Sequence, residues 1–336
     1  MPATLKDVAK LAGVHSSTVS RVLRGKESFR IPKETQDKII SAAAKLKYQP
    51  DKSARALRLQ KSYTIGLIVP DISNPFFAQI ARAIEISSYE TGYTVIVCNT
   101  DENQEKEDHF LNELLSRRID GLIIAPVQDS KEKICEMLEK KFPLVLIDRC
   151  FDNLDTNAII SDNYETSYEV VKYFAEHGHK RIAFIKARTG IYTIEKRLQG
   201  YQKAVHDFKL DDGPELIAGG GFGIEDGYDA ALEVFDRSKN PSALLVSGNL
   251  ITVGVIQAIT EKGMSIPGDI SIIAYEDNVF TPYLATPITV ISHPVQEMGK
   301  RAFSLLMEHM EAKSKLAFSK VVIKSQFEIR ESVRRI

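Results

Sequence analysis

From residue 64 onward, short uninterrupted apolar runs alternate with helical stretches, and the series runs twice. Thr64-Ile-Gly-Leu-Ile-Val-Pro70 reads as a buried strand, followed by a helix over 76–91 and a strand at 93–98. A helix over 104–118, a strand at 121–125, a helix over 130–140 and a strand at 144–148 complete the first series. The rhythm restarts with a helix over 163–177, a strand at 181–185, helices over 194–208 and 225–237, and a strand at 243–247. A helix over 250–262, a strand at 270–275, a helix over 294–312 and a closing strand near 320–329 finish the chain. Strands that read as continuous apolar runs are buried on both faces, and helices between them return the chain to the same edge. That is the βαβ signature of parallel sheets. Two series predict two doubly wound subdomains, with ligands expected in the crevice outside the carboxyl ends of the strands. No run approaches the roughly 18 uncharged apolar residues of a membrane span. The start, MPATLKDVAKLAG, lacks the apolar core of a secretory leader, so a cytoplasmic location is expected.

The N-terminal sixty residues are different. The formal net charge of -1 hides an asymmetry: residues 1–61 carry 14 Lys/Arg against 5 Asp/Glu, nine positive charges in excess, whereas residues 62–336 carry 30 against 40. A basic segment of this size is the footprint of a polyanion binder, because each cation near a phosphate releases a condensed counterion. Its internal pattern is helical. Thr4 suits an N-cap, Asp7 the first turn, and Leu5, Val8, Ala9, Leu11 and Ala12 recur at helical spacing before Gly13. A second helix runs from Ser16 through Leu23 and ends near Gly25. A third spans Pro32 to Leu46, with Ile39, Ile40, Ala43 and Leu46 facing inward. Helix, tight turn, helix is the geometry that sets one helix across a duplex backbone and the next into the major groove.

At Leu5-Lys-Asp-Val-Ala-Lys-Leu-Ala-Gly-Val14, Thr18-Val-Ser-Arg-Val-Leu23 and Tyr48-Gln-Pro-Asp-Lys-Ser-Ala-Arg-Ala-Leu57, the chain resembles the lactose-repressor/galactose-repressor (LacI/GalR) family of transcription regulators. The resemblance implies an all-α helix-turn-helix headpiece over 1–47 and a hinge helix over 48–61. It also implies an α/β two-lobed core of the type I periplasmic-binding-protein kind over 62–336. The N-lobe is expected at about 62–161 plus 291–318, and the C-lobe at about 162–290 plus 319–336. Thr4, Ser16, Ser17, Thr18 and Arg21 are then the candidate DNA contacts of the headpiece, and Arg21 is able to bind guanine bidentately. Val19, Val22 and Leu23 are expected to pack the small core. His15 stands where the family usually has a capping serine, so either Ser16 takes over the cap or the imidazole reaches a phosphate. In the hinge, Ala54 permits close approach and Leu57 occupies the position of a base-step wedge. About ten residues is too short for an isolated helix to hold in water, so the hinge should order only when packed.

In the core, the resemblance implies effector contacts at Asn74, Phe76, Phe77, Asp148, Arg149, Arg197, Asn249 and Glu276, in a pattern most like ribose-type sites. Asparagine offers donor and acceptor to a hydroxyl, and an aromatic ring takes a sugar's C–H face. Gly248-Asn249 stands where the family usually has Asn-Asp, and Glu276 where it usually has aspartate. One of Phe76 and Phe77 is expected to be purely core, and an interlobe salt bridge is the alternative role for Arg149.

Nothing points to catalysis. There is no GxxxxGK[ST], HExxH or GxSxG, and Gly219-Gly-Gly-Phe-Gly223 fits no GxGxxG frame and reads as a loop before a helix. Cys98, Cys135 and Cys150 are widely spaced, without a CxxC pair, and argue against a disulfide framework or zinc site. They are expected to be buried and inert. No cofactor and no metal is therefore implied, and the chain is not expected to be an enzyme. The favoured function is a repressor of transcription that binds a palindromic double-stranded operator as a homodimer. A sugar, sugar acid or sugar phosphate in the cleft would modulate its affinity. The alternative is a cytoplasmic sugar-binding or sugar-metabolising protein of the same fold.

Overall fold

A computed structural model describes residues 3–23, 31–48, 61–237, 241–277, 281–312 and 317–336. The chain divides into two compact units, residues 1–62 and 63–336.

The first unit is a small helical bundle: α1 (Leu5–Ala12), α2 (Ser16–Val22) and α3 (Lys33–Lys45). Val8, Ala9, Val19, Val22, Ile39, Ala42 and Ala43 are its buried centre, with Leu23 and Leu46 packed against it. Ile40, expected to face inward, is 55% exposed instead, and Ala42 is buried. Positions 39, 42, 43 and 46 form one helical stripe, from which residue 40 is turned by about 100°.

The second unit contains two six-stranded sheets of the same design. The first has the order β2 (Thr94–Asn99), β1 (Thr64–Val69), β3 (Gly121–Ile124), β4 (Leu144–Ile147), β5 (Asn157–Ser161), β11 (Lys320–Ile323). The second has the order β7 (Ile217–Ala218), β6 (Ile182–Ile185), β8 (Ala243–Val246), β9 (Ser271–Tyr275), β10 (Thr289–Ser292), β12 (Gln326–Glu328). Helices flank both: α4 (Pro75–Glu90), α5 (Gln104–Ser116), α6 (Glu132–Glu139) and α11 (Val295–Glu311) cover the first sheet. The second is covered by α7 (Asn163–Glu176), α8 (Tyr192–Asp207), α9 (Ile224–Arg237) and α10 (Asn249–Glu261). Side chains sort by parity, as the two-residue period of a strand demands. Ile65, Leu67, Ile123, Val145, Ile147 and Ile159 pack on one face of the first sheet, and Ile68, Leu122, Ile124, Leu144, Leu146 and Ile160 on the other.

The C-terminal region departs from expectation. The single closing strand near 320–329 is two strands: β11 runs parallel to β5 in the first sheet, and β12 pairs antiparallel with β10 in the second. Residues 320–323 thus belong to the N-lobe rather than to the C-lobe, and β10 places residues 291–292 in the C-lobe rather than the N-lobe. Three segments connect the lobes: Asp162 between β5 and α7, His293–Pro294 between β10 and α11, and Lys324–Ser325 between β11 and β12. Among the described residues no helix is long and apolar enough to cross a membrane.

Candidate functional site

In the headpiece, the local chemistry sets the turn. Thr4 Oγ1 accepts from the Asp7 amide at 3.3 Å, and Asp7 returns a bond to the Thr4 amide at 2.8 Å, a complete capping box. Gly13 adopts φ +66°, a left-handed turn that costs glycine little, and reverses the chain. His15, not Ser16, is the N-cap of α2: its Nδ1 accepts from the Ser17 amide at 3.3 Å. An imidazole lone pair thus does what a serine hydroxyl does in a conventional cap. Ser17 and Arg21, one helical turn apart, are exposed on α2, whereas Ser16 and Thr18 are half-buried. Ala54 and Leu57 lie outside the described residues.

Between the lobes of the second unit is a cavity of about 400 Å³. Asn74, Phe76, Phe77, Asp148 and Arg149 reach it from the first lobe, and Arg197, Asn249 and Glu276 from the second, so all eight candidates meet at one place. Both phenylalanines line it. Neither is purely core, although each is only 5% exposed. Phe222 and Gly223 also line it, from the glycine-rich loop read as a mere connection, and Phe222 and Glu102 are lining residues that sequence reasoning missed.

The two lobes supply a carboxylate in the same way. Asp148 follows β4, and its amide donates to Ile159 of the neighbouring β5 at 2.8 Å. Glu276 follows β9, and its amide donates to Ile291 of the neighbouring β10 at 2.8 Å. Both then turn left-handed, with φ +64° and +70°. For residues with a Cβ this conformation costs about 1–2 kcal/mol, and at both positions it aims a carboxylate into the cleft.

Each lobe also supplies a buried arginine. Arg149 donates to Glu102 through Nη1 at 2.9 Å and Nη2 at 2.6 Å, and sits between the Phe77 and Phe222 rings. The pair lies within the first lobe, so the interlobe salt bridge is not its arrangement. Arg149 Nε is buried without a hydrogen-bond partner and lies 3.8 Å from Asp148. Arg197 donates to Asn163 Oδ1 at 2.7 Å, the Ser247 carbonyl at 2.6 Å and His293 Nε2 at 3.0 Å. Its guanidinium lies 3.9 Å above the Tyr275 ring. The lobes touch directly where Asn249 Nδ2 donates to Asn74 Oδ1 at 2.9 Å.

Burial pushes Glu276 up to about 7, with Arg197 opposing and Asp148 adding to the rise. It likewise raises Asp148 against the pull of Arg149 and Arg197. Glu107, whose carboxylate holds the Val127 amide at 2.7 Å, is also pushed up to about 7 by burial. A raised carboxyl pKa means that the folded state binds the proton more tightly than the unfolded one. Stability from these groups therefore grows as pH falls from about 7 towards 4.5 and is lost as it rises. Each group contributes a slope of up to about 1.4 kcal/mol per pH unit. Glu276→Gln and Glu107→Gln should each remove the contribution of one of these three acids, up to about 1.4 kcal/mol per pH unit, in urea titrations at pH 5, 6 and 7. An unaltered slope in either variant means that its residue is not the group titrating.

The described free cysteines divide between Cys150, which is buried, and Cys98 and Cys135, which are only half-buried.

The profile of the family described as "Bacterial regulatory proteins, lacI family" matches residues 4–51. That of "Periplasmic binding proteins and sugar binding domain of LacI family" matches residues 62–330. The HTH-type transcriptional repressor PurR of Haemophilus influenzae is 33% identical over 339 aligned positions, covering 99% of each chain. The Lac repressor bound to ONPG in the repressed state matches with a TM-score of 0.88 at 25% identity, over 99% of this chain and 100% of that one. A LacI family transcriptional regulator from Enterococcus faecium with bound ribose matches with a TM-score of 0.72 at 26% identity, over 81% and 99%. These relatives regulate transcription and are not enzymes. A helix-turn-helix bundle ahead of a two-lobed core, matched along nearly the whole chain, places this protein in the LacI family of bacterial DNA-binding transcriptional repressors.

Proposed function

We propose that this repressor is a cytoplasmic homodimer whose affinity for a palindromic operator is set by a small neutral carbohydrate bound between the lobes. The observation that carries the reading is the balance of donors and acceptors in the cleft. Its lining holds five carboxylates, from Asp71, Asp101, Glu102, Asp148 and Glu276, against two guanidiniums, from Arg149 and Arg197. Most guanidinium donors are already committed to Glu102, Pro126, Asn163, Ser247 and His293. Of the carboxylates, Asp71 accepts from Ser73, Asp101 from Lys106 and Glu102 from Arg149, so Asp148 and Glu276, one from each lobe, are the acids left to a ligand, which suits hydroxyls and disfavours a phosphate. Phe76, Phe77 and Phe222 offer flat apolar faces for sugar C–H groups. The ribose carried by the Enterococcus faecium relative agrees with this class. Calorimetry with neutral pentoses and hexoses, uronates, sugar phosphates and free nucleobases tests it. A neutral sugar bound at micromolar Kd supports the proposal. A nucleobase or a phosphorylated sugar bound more tightly than any neutral sugar overturns it.

On the DNA side the proposed domains are the headpiece over 1–47, the hinge over 48–61 and the core over 62–336. Arg21 and Ser17, exposed together on α2, are the proposed base-reading residues; Thr4, Ser16 and Thr18 support the helix or meet phosphates, and Ala54 and Leu57 enter the minor groove. A single headpiece covers too little surface for tight discrimination, which favours two half-sites read by a dimer. Ile86 and Tyr89 of α4 and Val97 of β2, exposed on the first lobe, supply apolar surface for the partner. Arg21→Ala should cost about 1–3 kcal/mol on the operator. Fluorescent-duplex titration checks it: an equal loss on random DNA would reassign Arg21 to a phosphate.

A further inference from the structure

The three segments that connect the lobes are held by one chain of hydrogen bonds, and that chain begins in the cleft. Arg197 Nη2 meets His293 Nε2 at 3.0 Å, His293 Nδ1 meets Ser325 Oγ at 2.8 Å, and Ser325 Oγ meets Asp162 Oδ1 at 2.7 Å. His293, Ser325 and Asp162 are one residue from each of the three crossings. The Ser325 amide adds a second bond to Asp162 Oδ1 at 2.9 Å, and Arg197 Nε binds Asn163, the residue after Asp162.

Proton placement in this chain is fixed by chemistry. A guanidinium only donates, so His293 Nε2 accepts and the ring proton sits on Nδ1. Ser325 Oγ must then accept from Nδ1, and its single proton goes to the Asp162 carboxylate. Burial, reinforced by the Arg197 charge, holds His293 well below the ordinary histidine range, consistent with the neutral ring this order requires. Each bond has one direction, and none can reverse while Arg197 stays in place.

We infer that His293 is a positioning residue for effector response: it ties the cleft arginine to all three interlobe crossings, so that whatever engages Arg197 also resets the bonds that hold those crossings together. The inference rests on the reading of the cleft as the effector site. Arg197 Nη1 already lies 3.9 Å from Glu276 Oε1 and holds the Ser247 carbonyl, so a hydroxyl that bridges Nη1 and Glu276 pulls on the planar guanidinium whose Nη2 holds His293. Changing that bond alters the donor to His293 and, through it, the two bonds beyond, at the points where the angle between the lobes is set. A buried side chain that only filled space would transmit nothing. A glutamine would, because its carbonyl can accept from Arg197 while its amide donates to Ser325.

Amide hydrogen exchange on the full-length protein tests this without any effector, read at the Ser325 amide. Arg197→Lys, which keeps the charge but whose compact ammonium cannot span acceptors set around a planar guanidinium, should speed exchange there at least tenfold, although two hydrogen bonds separate the residues. His293→Leu should speed it as much, and adding Arg197→Lys to it should change nothing further. His293→Gln should restore wild-type protection and the response to Arg197→Lys. Amides of Ile123 and Leu245, in the centres of the two sheets, report that the fold is kept. If His293→Leu does not fold, Ser325→Ala cuts the chain at its far end with little change of packing, and in that background Arg197→Lys must leave amide 325 unchanged. Exchange at 325 within twofold of wild type in Arg197→Lys overturns the inference, as does a His293→Gln variant that behaves like leucine. Because no sugar is used, such a failure leaves the carbohydrate reading standing, and a failure of sugars to bind leaves the exchange result standing.

Discussion

Arg197→Met is expected to abolish effector binding in calorimetry, to below one hundredth of the wild-type affinity, and to lower the thermal midpoint on the order of 10 °C. Arg197 is 3% exposed and is the donor to three buried acceptors: Asn163 Oδ1, the Ser247 carbonyl and His293 Nε2. A buried acceptor left without a donor costs about 1–3 kcal/mol, and methionine fills the volume while serving none of the three. The cation over the Tyr275 ring is lost as well. Binding suffers through a second route. Arg197 is the group that opposes the rise of the Glu276 pKa, so without it the carboxyl rises further and stays protonated, offering one fewer acceptor to a ligand hydroxyl. The headpiece has its own buried centre of Val8, Val19, Val22 and Ile39, so duplex binding should survive without response to sugar. A variant that still binds sugar at wild-type affinity would remove Arg197 from the site.

The parts of this architecture legible in the sequence were those with a strong local signal. Both lobes and their strand ends follow from apolar runs buried on two faces, because such runs end abruptly where the chain leaves the sheet, whereas the eight clustered residues followed from the resemblance to the LacI/GalR family. Asp148 and Glu276 also stand at such strand ends, where ligands of open parallel sheets are expected. The strands β5, β7 and β10 were not legible. β5 follows β4 with no helix between them, so the alternation that exposes a βαβ unit is absent, and β7 is two residues long. β11 and β12 read as one strand because only three-dimensional pairing separates a run of four residues from one of three. Phe222 was hidden by its setting: a glycine-rich loop carries no periodicity, and what brings the ring over Arg149 is the packing of the lobes. His293 was hidden differently. Its meaning lies in partners 32 and 96 residues away, and no local pattern records them.

The doubled architecture gives the cleft its character. Each lobe contributes one strained acid at the end of its fourth strand and one buried arginine, but the arginines are held differently. Arg197 is tied to neutral acceptors, one of them on an interlobe crossing, so its positive charge is shared with Glu276 across 3.9 Å. Arg149 is neutralised within its own lobe by Glu102, which frees Asp148 to face the ligand. The cleft therefore presents acids to its ligand, although an equal number of arginines come from corresponding regions of the two lobes.

That asymmetry makes Glu102 the other position of large effect. Glu102→Gln is expected to destabilise the core by about 3–5 kcal/mol, the cost of breaking a buried ion pair from one side. Arg149 is 3% exposed, and a glutamine at 102 can accept one of the two Nη bonds that Glu102 accepts but carries no charge against the guanidinium. Its nearest remaining anion is Asp148, at 3.8 Å from Nε. Relaxation should draw Asp148 onto the guanidinium, which recovers part of the loss but withdraws an acceptor from the cleft, so sugar affinity should fall together with stability. Glu102→Gln combined with Arg149→Met separates the two effects. With neither charge left to desolvate, urea midpoints should return most of the way to wild type, while sugar binding stays lost because no guanidinium is left to donate to the ligand or to hold Asp148 in place. If Glu102→Gln alone keeps its urea midpoint and its sugar affinity, Asp148 already balances Arg149, and it cannot be the acceptor that the ligand uses.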